Sequence, residues 1–205
     1  DVLISRTGQK LQDLPAGAVI GTGSRRRAAQ VLHWRKDITI SPLRGNLETR
    51  LRKLDTGLYD AIVLAQAGLE RLNVTNRITQ ILTPDFLLPA VGQGALAVEC
   101  RLNDERTRES VAILNDPVSF AEVTAERSLL RHLEAGCLAP VAAWCRTESG
   151  MLLLTGRVLS ADGVIKLEVA CLGEMGNPEE LGRRVAKLLI AQGAAAVSYT
   201  HLRAH

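Results

Sequence analysis

Three short apolar runs alternating with two capped amphipathic segments, all within residues 18–65, constrain the fold of this chain more than any other feature. Ala18-Val19-Ile20-Gly21 predicts a buried strand, and Ser24 predicts the cap of a helix reaching about Trp34. Asp37-Ile38-Thr39-Ile40 predicts a second strand. Asn46 then caps a second helix, whose Leu47, Leu51 and Leu54 share one face and which Gly57 ends. Residues 59–65 are apolar almost throughout, as expected of a strand buried on both faces. The order predicts a βαβαβ unit with a parallel sheet, in the α/β class.

The alternation breaks at residues 84–94, where two prolines and two glycines predict a hinge. Residues 95–100 predict a further apolar strand and 104–114 a helix that Asn115-Asp116-Pro117 ends. An amphipathic helix follows over 120–133, with Gly136 as its stop. Strands are expected over 141–146, 151–159 and 165–171, the last two joined by a hairpin turn at Asp162-Gly163, before a final helix over 178–192. This second half has the pattern of a small α+β domain. Residues 198–205 lose the apolar rhythm and predict a frayed, non-native tail. The chain opens at Asp1, without methionine, on an apparent strand, and both ends are expected to be cut short.

At 205 residues the chain can bury a real core as one domain or two. Hydrophobic residues make up 46% but form no run long enough to cross a membrane, so a soluble protein is expected. The net charge of +3 is small, yet arginines cluster in the first third. Aromatic residues are only 3%, which removes the stacking platforms that single-stranded nucleic acid needs. Small carboxylate ligands fit the arginines better, because guanidinium pairs with carboxylate in bidentate fashion. The four cysteines, Cys100, Cys137, Cys145 and Cys171, form no C-x-x-C pair and have no histidine at metal-ligand spacing. Neither a metal site nor a disulfide scaffold is expected, and a reducing cytoplasm is the default compartment.

Two places carry chemistry. Gly21-Thr22-Gly23-Ser24 joins a strand to a helix, where backbone N–H groups and the helix dipole favour an anion. Arg25, Arg26 and Arg27 open that helix, an unfavourable place for positive charge unless an anion offsets it. A plain helix cap fits the same residues; a dinucleotide loop does so poorly, since Arg26 stands where its third glycine would be. Arg44, Arg50 and Arg71 follow later strand ends on the same sheet edge and can face the same cleft or, equally, solvent. The second place is Cys137, held on a glycine turn just past a helix. The dipole there opposes a thiolate, and only His132 is near, so Cys137 is a poor candidate for a protease-like nucleophile. A small buried cysteine and a neutral thiol that captures a reactive electrophile both remain open.

Taken together, these runs resemble the porphobilinogen deaminase family of tetrapyrrole biosynthesis. The matches are Gly21-Thr22-Gly23-Ser24 with Arg26-Arg27, Leu43-Arg44-Gly45-Asn46, Thr49-Arg50-Leu51, Ala67-Gly68-Leu69 with Arg71-Leu72, Leu88-Pro89-Ala90-Val91-Gly92-Gln93-Gly94, Ala125-Glu126-Arg127 and Gly136-Cys137. They follow one another in family order over residues 1–195. The chain departs from the pattern at Gly23, where a serine is common, at Arg25, where an apolar residue is usual, and at Glu134-Ala135-Gly136, where the family has a glycine pair.

The resemblance implies a transferase that joins four porphobilinogen units into linear hydroxymethylbilane and releases ammonia. It implies a dipyrromethane cofactor held by a thioether to Cys137, with Ser24, Arg26 and Arg27 binding that cofactor and Arg44, Arg50 and Arg71 binding substrate carboxylates. It further implies a monomer without nucleic-acid, membrane or metal partners. The family's catalytic aspartate belongs to an N-terminal domain, and no acid of this chain matches it, so the chain alone is expected to be inactive. The expected domains are 1–88, an α/β unit like that of two-lobed solute-binding proteins; 89–116, a hinge and a segment returning to the incomplete first domain; and 117–197, the cofactor-attachment domain. Loss of sheet partners for residues 95–100 predicts exposed apolar surface. A non-enzymatic carboxylate-binding module is the competing reading.

Overall fold

A computed structural model describes residues 1–133 and 140–199. Residues 1–88 build a five-stranded mixed sheet from β1 (Val2–Ser5), β2 (Val19–Gly21), β3 (Thr39–Ser41), β4 (Ala61–Leu64) and β5 (Gln80–Ile81), in the order β3-β2-β4-β1-β5. β2 runs parallel to both β3 and β4, as the βαβαβ pattern requires. The opening strand β1 adds antiparallel to β4 and carries β5 on its other side. Both β1 and β4 are buried throughout, and their side chains alternate between two cores. Leu3, Ile20 and Val63 face one core with Val31 of α1 (Arg25–Trp34), while Ile4, Ile62 and Leu64 face the other with Leu51 and Leu54 of α2 (Leu47–Asp55). Leu69 of the short α3 (Gln66–Arg71) joins that second core. The helices that follow the neighbouring strands β2 and β4 thus lie on opposite faces, the arrangement in which open α/β sheets bind ligands at the carboxyl ends of their strands.

The caps are those the sequence predicts. Ser24 Oγ accepts from Arg27 N at the start of α1, and Asn46 Oδ1 accepts from Thr49 N at the start of α2. Two elements differ from expectation. Residues 95–100 form no strand; Leu96 is 87% exposed and no sheet edge receives the segment. The apolar surface expected there is present. Asn115-Asp116-Pro117 ends the preceding helix as expected but also starts the next, three residues earlier than expected: Asp116 caps α5 (Pro117–His132) by accepting from Ser119 N at 2.7 Å, and the fixed φ of Pro117 suits the first helical position. The preceding helix α4 spans Glu105–Ala112.

The second half is an antiparallel meander of β6 (Val141–Glu148), β7 (Met151–Leu159) and β8 (Lys166–Glu174), with α5 and α6 (Pro178–Ala191) packed on one face. Asp162-Gly163 turns the chain between β7 and β8, Gly163 at φ +71°. α5 and α6 approach closely at Gly182, where an added Cβ would lie 2.3 Å from the Ala125 carbonyl oxygen. A last helix, α7 (Ala194–Tyr199), takes in Ser198 and Tyr199, the first two residues of the predicted tail. The halves touch where α1 meets the β7–β8 turn and where the hinge meets β6: His33 Nδ1 lies 2.9 Å from the Gly163 carbonyl oxygen, and Ala143 N donates to the Pro89 carbonyl. Among the described residues no helix is long and apolar enough to cross a membrane.

Candidate functional site

The carboxyl ends of β2, β3 and β4 share one edge of the sheet, and the loops leaving them lead into α1, α2 and α3. The first two loops are pressed together: an added Cβ on Gly23 would lie 2.9 Å from the Leu43 carbonyl oxygen. Gly45, at φ +118°, makes the turn into α2 over the Thr49 side chain. The amino ends of α1 and α2 are therefore neighbours, each with backbone N–H groups and positive dipole at the same edge.

Arg26 and Arg27 enter this edge from the first turn of α1. Arg26 is only 7% exposed; its Nη1 donates to the Leu88 carbonyl at 2.6 Å and its Nη2 to Asp1 Oδ2 at 2.7 Å and Gln93 Oε1 at 3.1 Å. Arg27 Nη2 donates to Asp1 Oδ1 at 2.7 Å and Nη1 to the Val63 carbonyl at 3.3 Å. A single fully buried carboxylate, Asp1, thus serves two guanidiniums. Burial, and then repulsion from Arg27, push the Arg26 guanidinium down to about 9, so it stays charged at neutral pH. Burial lowers Arg27 as well, and its Nε is buried without a hydrogen-bond partner.

The other expected residues are less gathered. Ser24 is half-buried at the α1 cap, and its own N–H donates to Thr22 Oγ1 at 3.2 Å. Arg44 is exposed on the loop after β3, and its carbonyl accepts from Lys53 Nζ at 3.0 Å. Arg50 is half-buried and turns back to the loop, its Nε donating to the Gly45 carbonyl at 2.7 Å. Arg71 is exposed at the last position of α3, roughly 8 Å along the helix from the sheet edge by the rise of five residues. Arg25 points to the exposed side of the first turn. Cys137 lies outside the described residues. The structure therefore joins Ser24, Arg26 and Arg27 into one site, sets Arg44 on the adjoining loop with Arg50 of α2 turned back to it, and leaves Arg71 further off.

Asp1, Gln93 and Leu88 were not singled out as site residues from sequence. The signal for Asp1 is slight, one acid directly before a wholly apolar strand. Gln93 and Leu88 belong to the expected hinge, which the structure folds back onto α1. In chemical terms, the site holds two buried positive charges against one negative. A group bearing several carboxylates fits it: the buried Arg27 Nε has a bond to give, the surplus charge needs an anion, and Arg44 and Arg50 extend the positive edge outward.

Comparison with known proteins agrees with this chemistry. Residues 1–109 match the family model described as porphobilinogen deaminase, dipyromethane cofactor binding domain, and residues 120–191 match that of the porphobilinogen deaminase C-terminal domain. Porphobilinogen deaminase of Desulforudis audaxviator is 47% identical over 197 residues, covering 96% of this chain and 64% of the relative. That of Brevibacillus brevis is 47% identical over 204 residues, 99% of this chain and 65% of the relative. That of Thermus thermophilus is 47% identical over 194 residues, 94% and 64% respectively. The chain thus spans slightly less than two thirds of the length of the curated relatives it matches. With a matched model over more than half its residues, the chain belongs to the porphobilinogen deaminase family.

Proposed function

We propose that this chain is the cofactor- and substrate-holding part of an enzyme that joins four porphobilinogen units into linear hydroxymethylbilane, releasing ammonia, in tetrapyrrole biosynthesis. The observation that carries this reading is the surplus of buried positive charge at Arg26 and Arg27, with an unpartnered guanidinium N–H on Arg27. Every pyrrole of such a chain bears an acetate and a propionate, so the growing product brings more carboxylates to one crevice. Arg26, Arg27 and the capped amino end of α1 at Ser24 hold the carboxylates of the cofactor; Arg44, Arg50 and Arg71 hold those of the substrate and the extending chain. The chemistry that dipyrromethane supplies when bound is a pyrrole end to which new units are joined, and Cys137 is the residue we assign to its thioether.

Asp1 is locked between two guanidiniums and is not free to move a proton. The chain's part is therefore binding and orientation, not acid–base catalysis, and residues 1–205 by themselves are expected not to turn over porphobilinogen. We read residues 1–88 as the α/β unit, 89–116 as a hinge and a segment that packs on a further domain, and 117–197 as the cofactor-attachment domain. The exposed Leu96, Leu102 and Ile113 support that reading of the middle segment. A whole enzyme that is a monomer in the cytoplasm is the setting we propose, in keeping with free thiols at Cys100, Cys145 and Cys171.

The intact mass of the purified protein tests the assignment, beside a Cys137→Ala variant. An increment equal to two linked pyrrole units, lost in the variant, is the expected result. A bare mass in this chain and also in a longer form restoring the remaining third would overturn the tether. Carboxylate binding that persisted in that case would favour a non-enzymatic binding module.

A further inference from the structure

Arg157 sits near the carboxyl end of β7 and is only 3% exposed, a costly place for a charge. Its Nε pairs with Glu168 on β8. That pair alone does not call for burial, since the Glu168 side chain is 34% exposed and solvent already serves it. The rest of the guanidinium reaches across to the first half of the chain. Nη1 donates to Gln30 Oε1 at 2.6 Å and to the Phe86 carbonyl at 3.3 Å, and Nη2 donates to the Asp85 carbonyl at 3.2 Å.

Gln30, fully buried on α1, is the next link. Its Oε1 accepts from Leu88 N at 2.9 Å and its Nε2 donates to the Leu88 carbonyl at 3.0 Å, so the side chain pairs with that residue as a neighbouring strand would. The same Leu88 carbonyl is the acceptor for Arg26 Nη1. A continuous buried path, Arg157 to Gln30 to Leu88 to Arg26, therefore runs from the C-terminal sheet to the carboxylate site.

We propose that Arg157 is a positioning residue for that site: by fixing Gln30 and residues 85–88, it sets the direction in which Arg26 presents its charge to a ligand carboxylate. The inference rests on the proposed role of the arginine pair. It makes the seating of the C-terminal half on α1 part of the binding apparatus, because the bond that fixes Arg26 Nη1 ends on the Leu88 carbonyl.

The test is a double-mutant cycle on binding of a free dipyrromethane bearing acetate and propionate groups, measured by calorimetry in the cofactor-free Cys137→Ala chain with thermal midpoints recorded in parallel. Arg157→Leu is expected to weaken binding about tenfold, yet to change it less than about twofold once Arg26 is already lysine, because the two act through one path. Arg157→Lys, which keeps a donor for Gln30, is expected to recover part of the loss. Should Arg157→Leu fail to fold, Gln30→Met breaks the same path and is expected to show the same dependence on Arg26. Equal loss in both Arg26 backgrounds, or a lowered midpoint with unchanged affinity, would make Arg157 structural only and overturn the inference. A Cys137→Ala chain that takes up no dipyrromethane would overturn the reading of the arginine pair, and this inference with it.

Discussion

Glu126 on α5 is buried, and its two carboxylate oxygens are each used: Oε2 accepts from Gly92 N at 2.6 Å and Oε1 from Cys145 N at 2.8 Å. The residue thereby ties the hinge to β6 by backbone groups alone. Burial pushes its carboxyl above the ordinary 4.5, more than the two N–H bonds pull it down, and the Glu122 charge adds to the rise. The same burial, with the Glu126 charge beside it, drives the Cys145 thiol up to about 12, so that thiol is inert at neutral pH. For Glu126 the sign is that of a raised acid: the folded state binds the proton more tightly than the unfolded state. Its contribution to stability is complete below 4.5 and is lost as pH rises through the folded value. The stability advantage of the wild type over Glu126→Gln, which cannot titrate, is expected to shrink as pH rises; urea denaturation between about pH 4 and 7 measures it. An advantage that grows with pH would mean that the two N–H bonds outweigh burial.

Among the elements, the α5–α6 pair depends on one missing side chain. An added Cβ on Gly182 would meet the Ala125 carbonyl oxygen, Ser128 Cβ at 2.5 Å and Leu129 N at 2.7 Å, all belonging to the facing helix. None of these can swing away, so Gly182→Ala is expected to destabilise the C-terminal half by about 1–3 kcal/mol through overpacking, despite its better helix propensity. The shift in urea midpoint is the measurement, and an unchanged midpoint would mean that the helices can separate without cost. The elements that sequence made plain were those whose signals are local. The caps at Ser24 and Asn46, the apolar run in β4 and the Asp162-Gly163 turn each act within a few residues, and each forms as expected. What was not legible came from distant partners. A strand was expected at Asp1, but not its antiparallel place between β4 and β5, which only the sheet decides. The apolar run at 95–100 has strand composition without a neighbour to take its hydrogen bonds, so composition misled. In the site, Arg26 and Arg27 stood out because positive charge at a helix start is anomalous. Arg157 carried a comparable signal, a charge inside an apolar strand, whereas nothing in the sequence ties Gln30 or Leu88 to either.

For the whole molecule, the two halves are unlike in what they leave uncovered. The sheet of residues 1–88 buries apolar side chains on both faces, while the middle segment leaves Leu96, Leu102, Ile113 and Leu114 in the open, as the first turn of α5 leaves Phe120. A surface of that kind promotes association. The chain is expected to bind a hydrophobic dye and to self-associate in sedimentation at micromolar concentration. Replacing Leu96, Leu102 and Ile113 by serine should abolish both while moving stability by no more than about 0.5 kcal/mol at each position. Unchanged association in the triple variant would shift attention to other exposed apolar residues such as Leu172 on β8.

Asp1 has one further effect on how the site works. With Asp1, Leu88 and Val63 already gripping them, Arg26 and Arg27 have lost their freedom before any ligand arrives. Immobilising a long cationic side chain costs up to about 2 kcal/mol in rotamer entropy, and here that cost falls on folding. The arriving carboxylate meets a rigid receptor, and its affinity is spared the ordering penalty that a pair of free arginines would impose.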